Sequence, residues 1–231
     1  MRTTKIEWTE RTWNPVTGCT KISAGCEHCY AETMSRRLCA MGNSKYTNGF
    51  QSTMHPEDLV EPMRWKKPST IFVCSMSDLF HPDVPFDFID KVFGVIRNTP
   101  QHNYQILTKR AERMAEYFST RVIPSNVWIG VTVEAVKTKN RIDYIRNLKA
   151  TVRFISCEPL LEDLGELNLN GINWIIVGGE SGVQARPMKE EWVLNIKRQA
   201  EANHIPFFFK QWGTWSADGV KSNKKVNGKL L

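Results

Sequence analysis

Three cysteines in one short segment are the residues of this sequence best suited to chemistry. Residues 18–30, here called the cysteine loop, read GCTKISAGCEHCY and contain Cys19, Cys26 and Cys29 in the spacing C-x6-C-x2-C. The other cysteines are scattered along the chain: Cys39, Cys74 and Cys157. Thiolates concentrated in this way are typical of a metal site or an iron–sulfur site.

The composition places this cysteine cluster in a reducing environment. The sequence has no apolar run of about 18 residues, so it predicts no transmembrane helix and no membrane partner. Its first residues, MRTTKIEWTERTWNP, lack the apolar region of a secretory signal. We therefore expect a cytoplasmic protein, in which clustered cysteines are ligands or catalysts rather than a disulfide framework.

The charge balance is basic. A formal net charge of +7 and an isoelectric point near 9.1 favour a polyanionic partner such as nucleic acid. A basic enzyme without such a partner fits the same numbers, so charge alone leaves both interpretations open.

The elements that must position the cysteines follow from hydrophobic periodicity. Short apolar segments, which predict strands, start near residues 71, 104, 127, 152, 173 and 205, and one more strand is compatible with the residues before the cysteines. Helical patterns lie between most of them, including 87–97, and another follows the cysteines at 30–39. This alternation predicts βαβ units and an α/β fold, a partial TIM-like (β/α)6 barrel with parallel strands. We expect one barrel domain over residues 1–215 and a polar, lysine-rich tail over 216–231.

The predicted strands end in polar residues. In parallel barrels the ligand lies at the carboxyl ends of the strands, and these ends read SMSD, TKR, TVE, SCEP, GGESG and KQW. Three of them contain a glutamate and two contain a lysine, which together suit a zwitterionic or polar ligand. The candidate catalytic residues are therefore Glu134, Glu158, Glu180, Lys109 and Lys210.

Five segments in a fixed order carry a resemblance to a known family. The segments GCTKISAGCEHCYAE, QILTKR, CEPLLEDL, IIVGGESG and FFFKQWG resemble a phage- and mobile-element-associated family of three-cysteine, radical-SAM-like proteins. The resemblance extends over about residues 5–215. More distantly, the pattern is similar to radical S-adenosylmethionine enzymes such as the spore photoproduct lyases, whose partial (β/α)6 barrel binds a [4Fe–4S] cluster after its first strand.

This resemblance implies a cofactor and a reaction. Cys19, Cys26 and Cys29 would ligate three irons of a [4Fe–4S] cluster and leave the fourth iron open for S-adenosylmethionine. One electron, from a donor such as flavodoxin or ferredoxin, would cleave S-adenosylmethionine to a 5′-deoxyadenosyl radical that abstracts hydrogen from a substrate. The substrate class that the resemblance and the basic charge favour is a nucleic-acid base or nucleotide, for modification or repair of DNA.

The resemblance also implies a set of cofactor-binding residues at the strand ends. We expect S-adenosylmethionine to contact residues of this set: Ser75, Asp78, Thr108, Glu134, Glu158, Gly178, Gly179 and Glu180. The sequence departs from the usual radical-SAM pattern, because its first cysteine gap has six residues instead of three and its GGE element follows a late strand instead of the second. The contact to the methionine amino group therefore falls to Ser75 or Asp78.

Two other interpretations remain open. A structural zinc site would use the three clustered cysteines with His28, His55 or Cys39 as the fourth ligand, in a barrel that binds nucleic acid or a protein partner. A metal-dependent hydrolase would use Glu134, Glu158 and histidines, but the sequence lacks H-x-H and H-E-x-x-H patterns.

Overall fold

The computed structural model describes Thr4, residues 6–222 and residues 224–231. The chain divides into two compact units. The first comprises the chain up to Lys21 with Ala31–Ile129 and Lys149–Thr151, and the second comprises Ile22–Tyr30, Gly130–Leu148 and Val152–Leu231. Cys19 therefore belongs to the first unit, whereas Cys26 and Cys29 belong to the second.

Strands and helices alternate along the described residues. The strands are β1 (Arg11–Trp13), β2 (Val16–Thr17), β3 (Thr53–Met54), β4 (Thr70–Val73), β5 (Asn103–Thr108), β6 (Val127–Thr132), β7 (Val152–Cys157), β8 (Trp174–Gly178) and β9 (Phe207–Gln211). The helices are α1 (Tyr30–Ala40), α2 (Phe86–Arg97), α3 (Ala111–Phe118), α4 (Arg141–Arg146), α5 (Glu190–Ala202) and α6 (Lys224–Asn227).

Seven parallel strands form one sheet in the order β1-β4-β5-β6-β7-β8-β9. The prediction of an α/β fold of the partial TIM-like barrel type with parallel strands is confirmed. The six repeated strands begin within two residues of their predicted starts, and β1 is the additional strand before the cysteines. Helix α5 begins at Glu190, three residues after Pro187.

The first unit aligns the strands whose ends carry Ser75, Asp78 and Thr108. Strand β1 pairs with β4 from Arg11 and Ile71 onward, and β4 pairs with β5 from Thr70 and Asn103 onward. Helix α2 starts directly after Pro85, whose extended backbone leads into the first turn. One face of α2 is buried: Phe88, Ile89, Val92, Phe93 and Ile96. Each such side chain contributes about 1.5–3 kcal/mol by leaving water, so packing rather than helix propensity fixes α2.

The second unit aligns the strands that end in Glu158, Glu180 and Lys210. Strand β7 pairs with β8 from Phe154 and Trp174 onward, and β8 pairs with β9 from Ile175 and Phe207 onward. The β8–β9 register shifts between Val177 and Gly178, where the GGE element begins. Such an irregularity redirects the side chains that follow it. Helix α5 buries Val193, Ile196 and Ala200.

The described residues after 215 return to the end of the second unit. The indole N–H of Trp212 donates to the carbonyl oxygen of Leu230 at 2.9 Å, and the side-chain amide of Asn227 donates to the carbonyl oxygen of Gly213 at 3.0 Å. The domain boundary at residue 215 stays a prediction.

None of the helices in the described part of the chain has the length and apolar character that crossing a bilayer requires.

Candidate functional site

Cys19 lies in a segment whose backbone is fixed on both sides. Its N–H donates to the carbonyl oxygen of Phe50, and the N–H of Gly18 donates to that of Met76, both at 3.0 Å. Gly18 has a φ of +77°, and an added Cβ would lie 2.0 Å from the carbonyl oxygen of Gln51. Only glycine fits this position without displacing backbone. The thiol of Cys19 is partly exposed.

Arg110 connects Cys19 to the end of β5. Its Nη1 donates to Cys19 Sγ at 3.4 Å and to Asp78 Oδ2 at 3.0 Å, while Nη2 donates to the carbonyl oxygen and to Oγ1 of Thr20, both at 3.0 Å. The side chains of Arg110 and Asp78 are each 8% exposed. Burial alone would lower the pKa of Arg110, but Asp78 and Cys19 outweigh it and raise that pKa. The guanidinium is therefore a fixed cation beside the sulfur.

Asp78, a predicted cofactor contact, has protein donors on both carboxylate oxygens. Its Oδ1 accepts from the N–H of Phe80 at 3.0 Å and from Thr108 Oγ1 at 2.7 Å. Its Oδ2 accepts from the N–H of Lys109 at 3.2 Å as well as from Arg110. The structure thus brings the predicted residues Asp78 and Thr108 together, where they orient Arg110 and the β5 end.

Ser75 and Lys109 complete the predicted residues of the first unit. Ser75 Oγ donates to Asn14 Oδ1 at 3.1 Å, and the N–H of Met76 donates to the same Asn14 oxygen, also at 3.1 Å. Asn14 therefore orders the turn after β4. The side chain of Lys109 is partly exposed. Its contact with the site is through its backbone N–H, which donates to Asp78.

In the second unit, Arg186 joins the segment before Cys29 to the end of β8. Its Nη2 donates to the carbonyl oxygen of Ala24 and its Nη1 donates to Glu27 Oε2, both at 2.9 Å. The same guanidinium donates to both carboxylate oxygens of Glu180, at 2.9 and 2.6 Å. His28 Nδ1 lies 3.3 Å from Glu180 Oε2. The short 3-10 turn that contains Cys26 is thereby fixed to the GGE element.

The carboxylate of Glu180 is held in its ionised form. Burial alone would raise its pKa, but the hydrogen bonds from Arg186 and His28 outweigh burial and lower the pKa below the ordinary value. The side chain is only 5% exposed. Glu180 is therefore a buried anion. It contacts His28 directly, and it contacts the backbone of Ala24 through Arg186.

Glu134 presents a buried acceptor without a protein donor. Its side chain is 0% exposed, and its Oε2 accepts from Arg141 Nη1 at 2.7 Å. Its Oε1 has no hydrogen-bond partner among the described residues. An added Cβ on Gly25 would lie 3.0 Å from Glu134 Cγ, 3.1 Å from Cδ and 3.3 Å from Oε1, so the end of the Glu134 side chain packs against the backbone next to Cys26. Buried acceptors are normally paired, which makes this oxygen a candidate for binding a donor group of a ligand.

Glu158 and Lys210, two of the predicted catalytic residues, form an ion pair. Lys210 Nζ lies 2.8 Å from Glu158 Oε1, and Ser156 Oγ donates to Glu158 Oε2 at 3.0 Å. At Gly178 and Gly179, two predicted cofactor contacts, the backbone lies close to neighbouring groups. An added Cβ would lie 2.8 Å from Glu158 Oε1 at Gly178 and 1.9 Å from the carbonyl oxygen of Trp212 at Gly179. A side chain at Gly179 would have to displace backbone, whereas one at Gly178 would displace the end of the Glu158 side chain.

The chemistry of the cysteines fits an iron–sulfur cluster. Cys19, Cys26 and Cys29 have partly exposed thiols. Burial raises the pKa of Cys74 to about 12 and also raises that of Cys157, so both remain neutral thiols. Iron–sulfur clusters bind thiolates, and the accessible cysteines of the loop are therefore suitable ligands whereas these two are not.

A separate group of metal-binding side chains lies outside the cysteine loop. Within the described part of the chain, one group of three histidine, cysteine or acidic residues has all ligand atoms within 4.8 Å of one another: His55, Glu57 and Asp58. It contains no cysteine, and Lys45 already binds Asp58. The zinc interpretation gains no support from this group.

Sequence reasoning missed the three arginines that organise these acids. Arg110, Arg141 and Arg186 bind Asp78, Glu134 and Glu180 respectively. Arg186 follows Glu180 by six residues and Arg141 follows Glu134 by seven, so a search for basic residues shortly after each strand-end acid would have found both. Arg110 stands just after β5, where its position alone does not distinguish a solvent-facing side chain from one that contacts Cys19.

Two solved structures with a similar fold are of spore photoproduct lyase, a radical S-adenosylmethionine enzyme. A mutant with a cysteine replaced by serine matches with a TM-score of 0.51 and 12% identity over 78% of this chain. The lyase in complex with dinucleoside spore photoproduct matches with a TM-score of 0.50 and 11% identity over 87% of this chain. The chain spans 58% and 63% of the length of these lyases. At such identities the likeness shows the fold alone, a partial TIM-like α/β barrel.

Comparison at the level of sequence identifies a family whose function is unknown. No curated protein matches the chain. One family model, described as "Protein of unknown function (DUF5131)", matches residues 3–231. Because this match extends over almost the whole sequence, the chain belongs to the DUF5131 family.

Proposed function

We propose that the chain is a radical S-adenosylmethionine enzyme in which Cys19, Cys26 and Cys29 hold a [4Fe–4S] cluster. The observation that supports this proposal is that these three thiols are partly exposed in a chain whose fold is similar to that of a radical S-adenosylmethionine lyase. When bound, such a cluster supplies the electron that cleaves S-adenosylmethionine to the 5′-deoxyadenosyl radical, which abstracts hydrogen from the substrate.

The residues around the cysteines have distinct tasks in this proposal. Arg110 fixes the segment of Cys19, and Arg186 fixes the segment Ala24–His28. Asp78 and Glu180 act through these arginines, because their carboxylate oxygens already accept hydrogen bonds from protein groups. Preorganisation of this kind keeps ligands in place without a cost at the moment of binding.

Glu134 is the residue we assign to direct contact with S-adenosylmethionine. Its Oε1, which has no partner among the described residues, can accept a hydrogen bond from an N–H or O–H group, and S-adenosylmethionine carries both kinds. The other contacts stay predictions from the sequence: Ser75, Thr108, Glu158, Gly178 and Gly179 at the strand ends. The pair of Lys210 and Glu158 is the candidate for polar contact with the substrate.

The substrate we propose is a nucleic-acid base or nucleotide. The net charge of +7 favours a polyanion, and a lyase of similar fold has been solved with dinucleoside spore photoproduct. Modification and repair of DNA are both compatible with hydrogen abstraction from such a substrate. The cytoplasmic location, the association with phages and an electron donor such as flavodoxin or ferredoxin stay predictions.

Iron content tests the cluster. Protein purified without oxygen should be brown and should contain about four irons per chain. Cys26→Ala should lose most of this iron, because it removes one of three ligands. Cys39→Ala is the matched control, since Cys39 is also free and partly exposed but lies on α1 outside the loop, and it should keep its iron. Equal iron in both variants would refute the ligand assignment.

Reaction with a chemical reductant tests the enzyme. Dithionite and S-adenosylmethionine should yield 5′-deoxyadenosine with the wild-type protein and not with Cys26→Ala. A brown protein that leaves S-adenosylmethionine intact would carry an electron-transfer cluster instead. A colourless protein with one tightly bound zinc would favour the alternative function, a zinc-containing barrel that binds nucleic acid or a protein partner.

Salt-dependent binding tests the substrate class. Retention on single-stranded and double-stranded DNA should be strong at about 50 mM salt and weaken steeply by about 200 mM, because binding releases counterions from phosphates. Absence of binding at both salt concentrations would point to a small molecule or a peptide as the substrate.

A further inference from the structure

The sulfur of Cys19 accepts a hydrogen bond from a permanently charged donor. Arg110 Nη1 lies 3.4 Å from Cys19 Sγ, and the two residues are 91 positions apart in the chain. A guanidinium group stays protonated at all accessible pH values, so the donor of this bond bears a full positive charge next to the sulfur.

The guanidinium of Arg110 has little freedom to move away. Asp78 accepts from the same Nη1 at 3.0 Å, and Thr20 accepts twice from Nη2. Asp78 is itself fixed by Thr108 and by the N–H of Phe80. His81 Nε2 lies 2.8 Å from Thr20 Oγ1, which secures the other side of the contact. The charge beside Cys19 is therefore preorganised by its surroundings.

We infer that Arg110 sets the reduction potential of the iron–sulfur centre through Cys19. This inference rests on the proposed function, because it requires a cluster on the cysteine loop. One-electron reduction by a chemical or protein reductant adds negative charge that spreads onto the ligand sulfurs. A charged N–H donor stabilises that added charge and raises the potential, since hydrogen bonds to sulfur are among the determinants of cluster potentials.

Asp78 has the opposite effect in this arrangement. Its carboxylate partly neutralises the Arg110 charge from a distance of 3.0 Å. Removal of the arginine charge should make the cluster harder to reduce, whereas removal of the aspartate charge should make it easier to reduce. A purely structural role would instead loosen the same segment in both variants.

The experiment measures midpoint potentials of the cluster-loaded protein by electron paramagnetic resonance. Arg110→Gln should shift the reduction equilibrium about tenfold toward the oxidised form, which is about 59 mV for a one-electron couple. Asp78→Asn should shift the potential the opposite way. Arg110→Lys keeps the charge and should recover part of the wild-type potential.

Arg121→Gln is the matched control. Arg121 also forms a two-bond pair with an aspartate, donating to both carboxylate oxygens of Asp90 at 2.7 and 3.0 Å. No hydrogen bond or ion pair found among the described residues joins either side chain to a cysteine. This variant should have the wild-type potential. A potential shift of the same size in Arg121→Gln and Arg110→Gln would overturn the inference.

The remaining outcomes separate the inference from the function on which it rests. Unchanged potentials in Arg110→Gln, with the cluster present, refute the role of Arg110 and leave the proposed function standing. A wild-type protein that binds no cluster refutes both. If Arg110→Gln does not fold, the potentials of Arg110→Lys and Asp78→Asn decide, and shifts of the same sign in both contradict the inference.

Discussion

Arg186 and Glu180 form an ion pair with two parallel hydrogen bonds. Arg186 Nε donates to Glu180 Oε2 at 2.9 Å and Nη2 donates to Glu180 Oε1 at 2.6 Å. The same guanidinium donates to the carbonyl oxygen of Ala24 and to Glu27. One side chain thus links the end of β8 to the segment that precedes Cys29.

Loss of Arg186 should destabilise the protein. Arg186→Gln leaves the Glu180 carboxylate, which is 5% exposed, without its main partner. Since the arginine itself is 28% exposed, the cost should lie below that of a fully buried pair, at about 2–3 kcal/mol in the free energy of unfolding. Urea denaturation measures this change, and iron retention should fall with it because the loop segment is released.

The control for this variant is a surface ion pair. Lys197→Gln removes the partner of Glu201, where the two atoms are 3.8 Å apart and both side chains are exposed. Its effect should stay below about 0.5 kcal/mol. Equal destabilisation by Arg186→Gln and Lys197→Gln would mean that Arg186 does not hold the segment.

Two glycines should respond to alanine with opposite signs. At Gly179 an added Cβ would meet the carbonyl oxygen of Trp212 at 1.9 Å, so Gly179→Ala must displace backbone and should cost about 1–3 kcal/mol. Gly94 lies inside α2 with nothing within 4 Å of an added Cβ. Gly94→Ala should therefore stabilise the protein by about 0.5–1 kcal/mol. Thermal unfolding of both variants tests this, and destabilisation by Gly94→Ala would contradict the helix geometry.

The six thiols should divide into two classes in the native protein. Cys74 and Cys157 are buried, and burial raises the pKa of Cys74 to about 12. Reactivity requires an accessible thiolate, so both should resist iodoacetamide until the protein unfolds. The partly exposed thiols should react in the folded, metal-free protein: Cys19, Cys26, Cys29 and Cys39. Mass spectrometry of labelled peptides gives the rates, and fast labelling of Cys157 would contradict its burial.

Stability should depend on pH through His55. Burial, aided by Lys45, lowers the pKa of His55 below 6.5, and its Nε2 lies 2.7 Å from Thr17 Oγ1. A histidine with a depressed folded pKa stabilises the fold above pH 6.5, and this contribution is lost as the pH falls from 6.5 toward the folded pKa.

The measurement compares the wild type with His55→Gln. Urea unfolding at about pH 7.5 and about pH 5.5 should show that the stability difference between them shrinks on acidification. A difference that stays constant between these two pH values would show that His55 does not titrate in this range.

The fold was largely predictable because its signals are local. Helix α2 spans Phe86–Arg97, close to its predicted range, since its apolar residues recur at helical spacing directly after a proline. The start of α5 is harder to read from the sequence. Pro187 favours a helix start, but α5 begins at Glu190, because a proline marks where a helix can begin and not where its packing begins.

By itself, the sequence determined the alternation of strands and helices, the cysteine spacing and the acids at the strand ends. Only the tertiary structure decided which side chains serve those acids and sulfurs. Arg110 reaches Cys19 across 91 positions and Arg186 reaches Ala24 across 162. No periodicity records such pairs, because periodicity reports burial along one element, whereas these contacts depend on how distant strand ends and loops pack together.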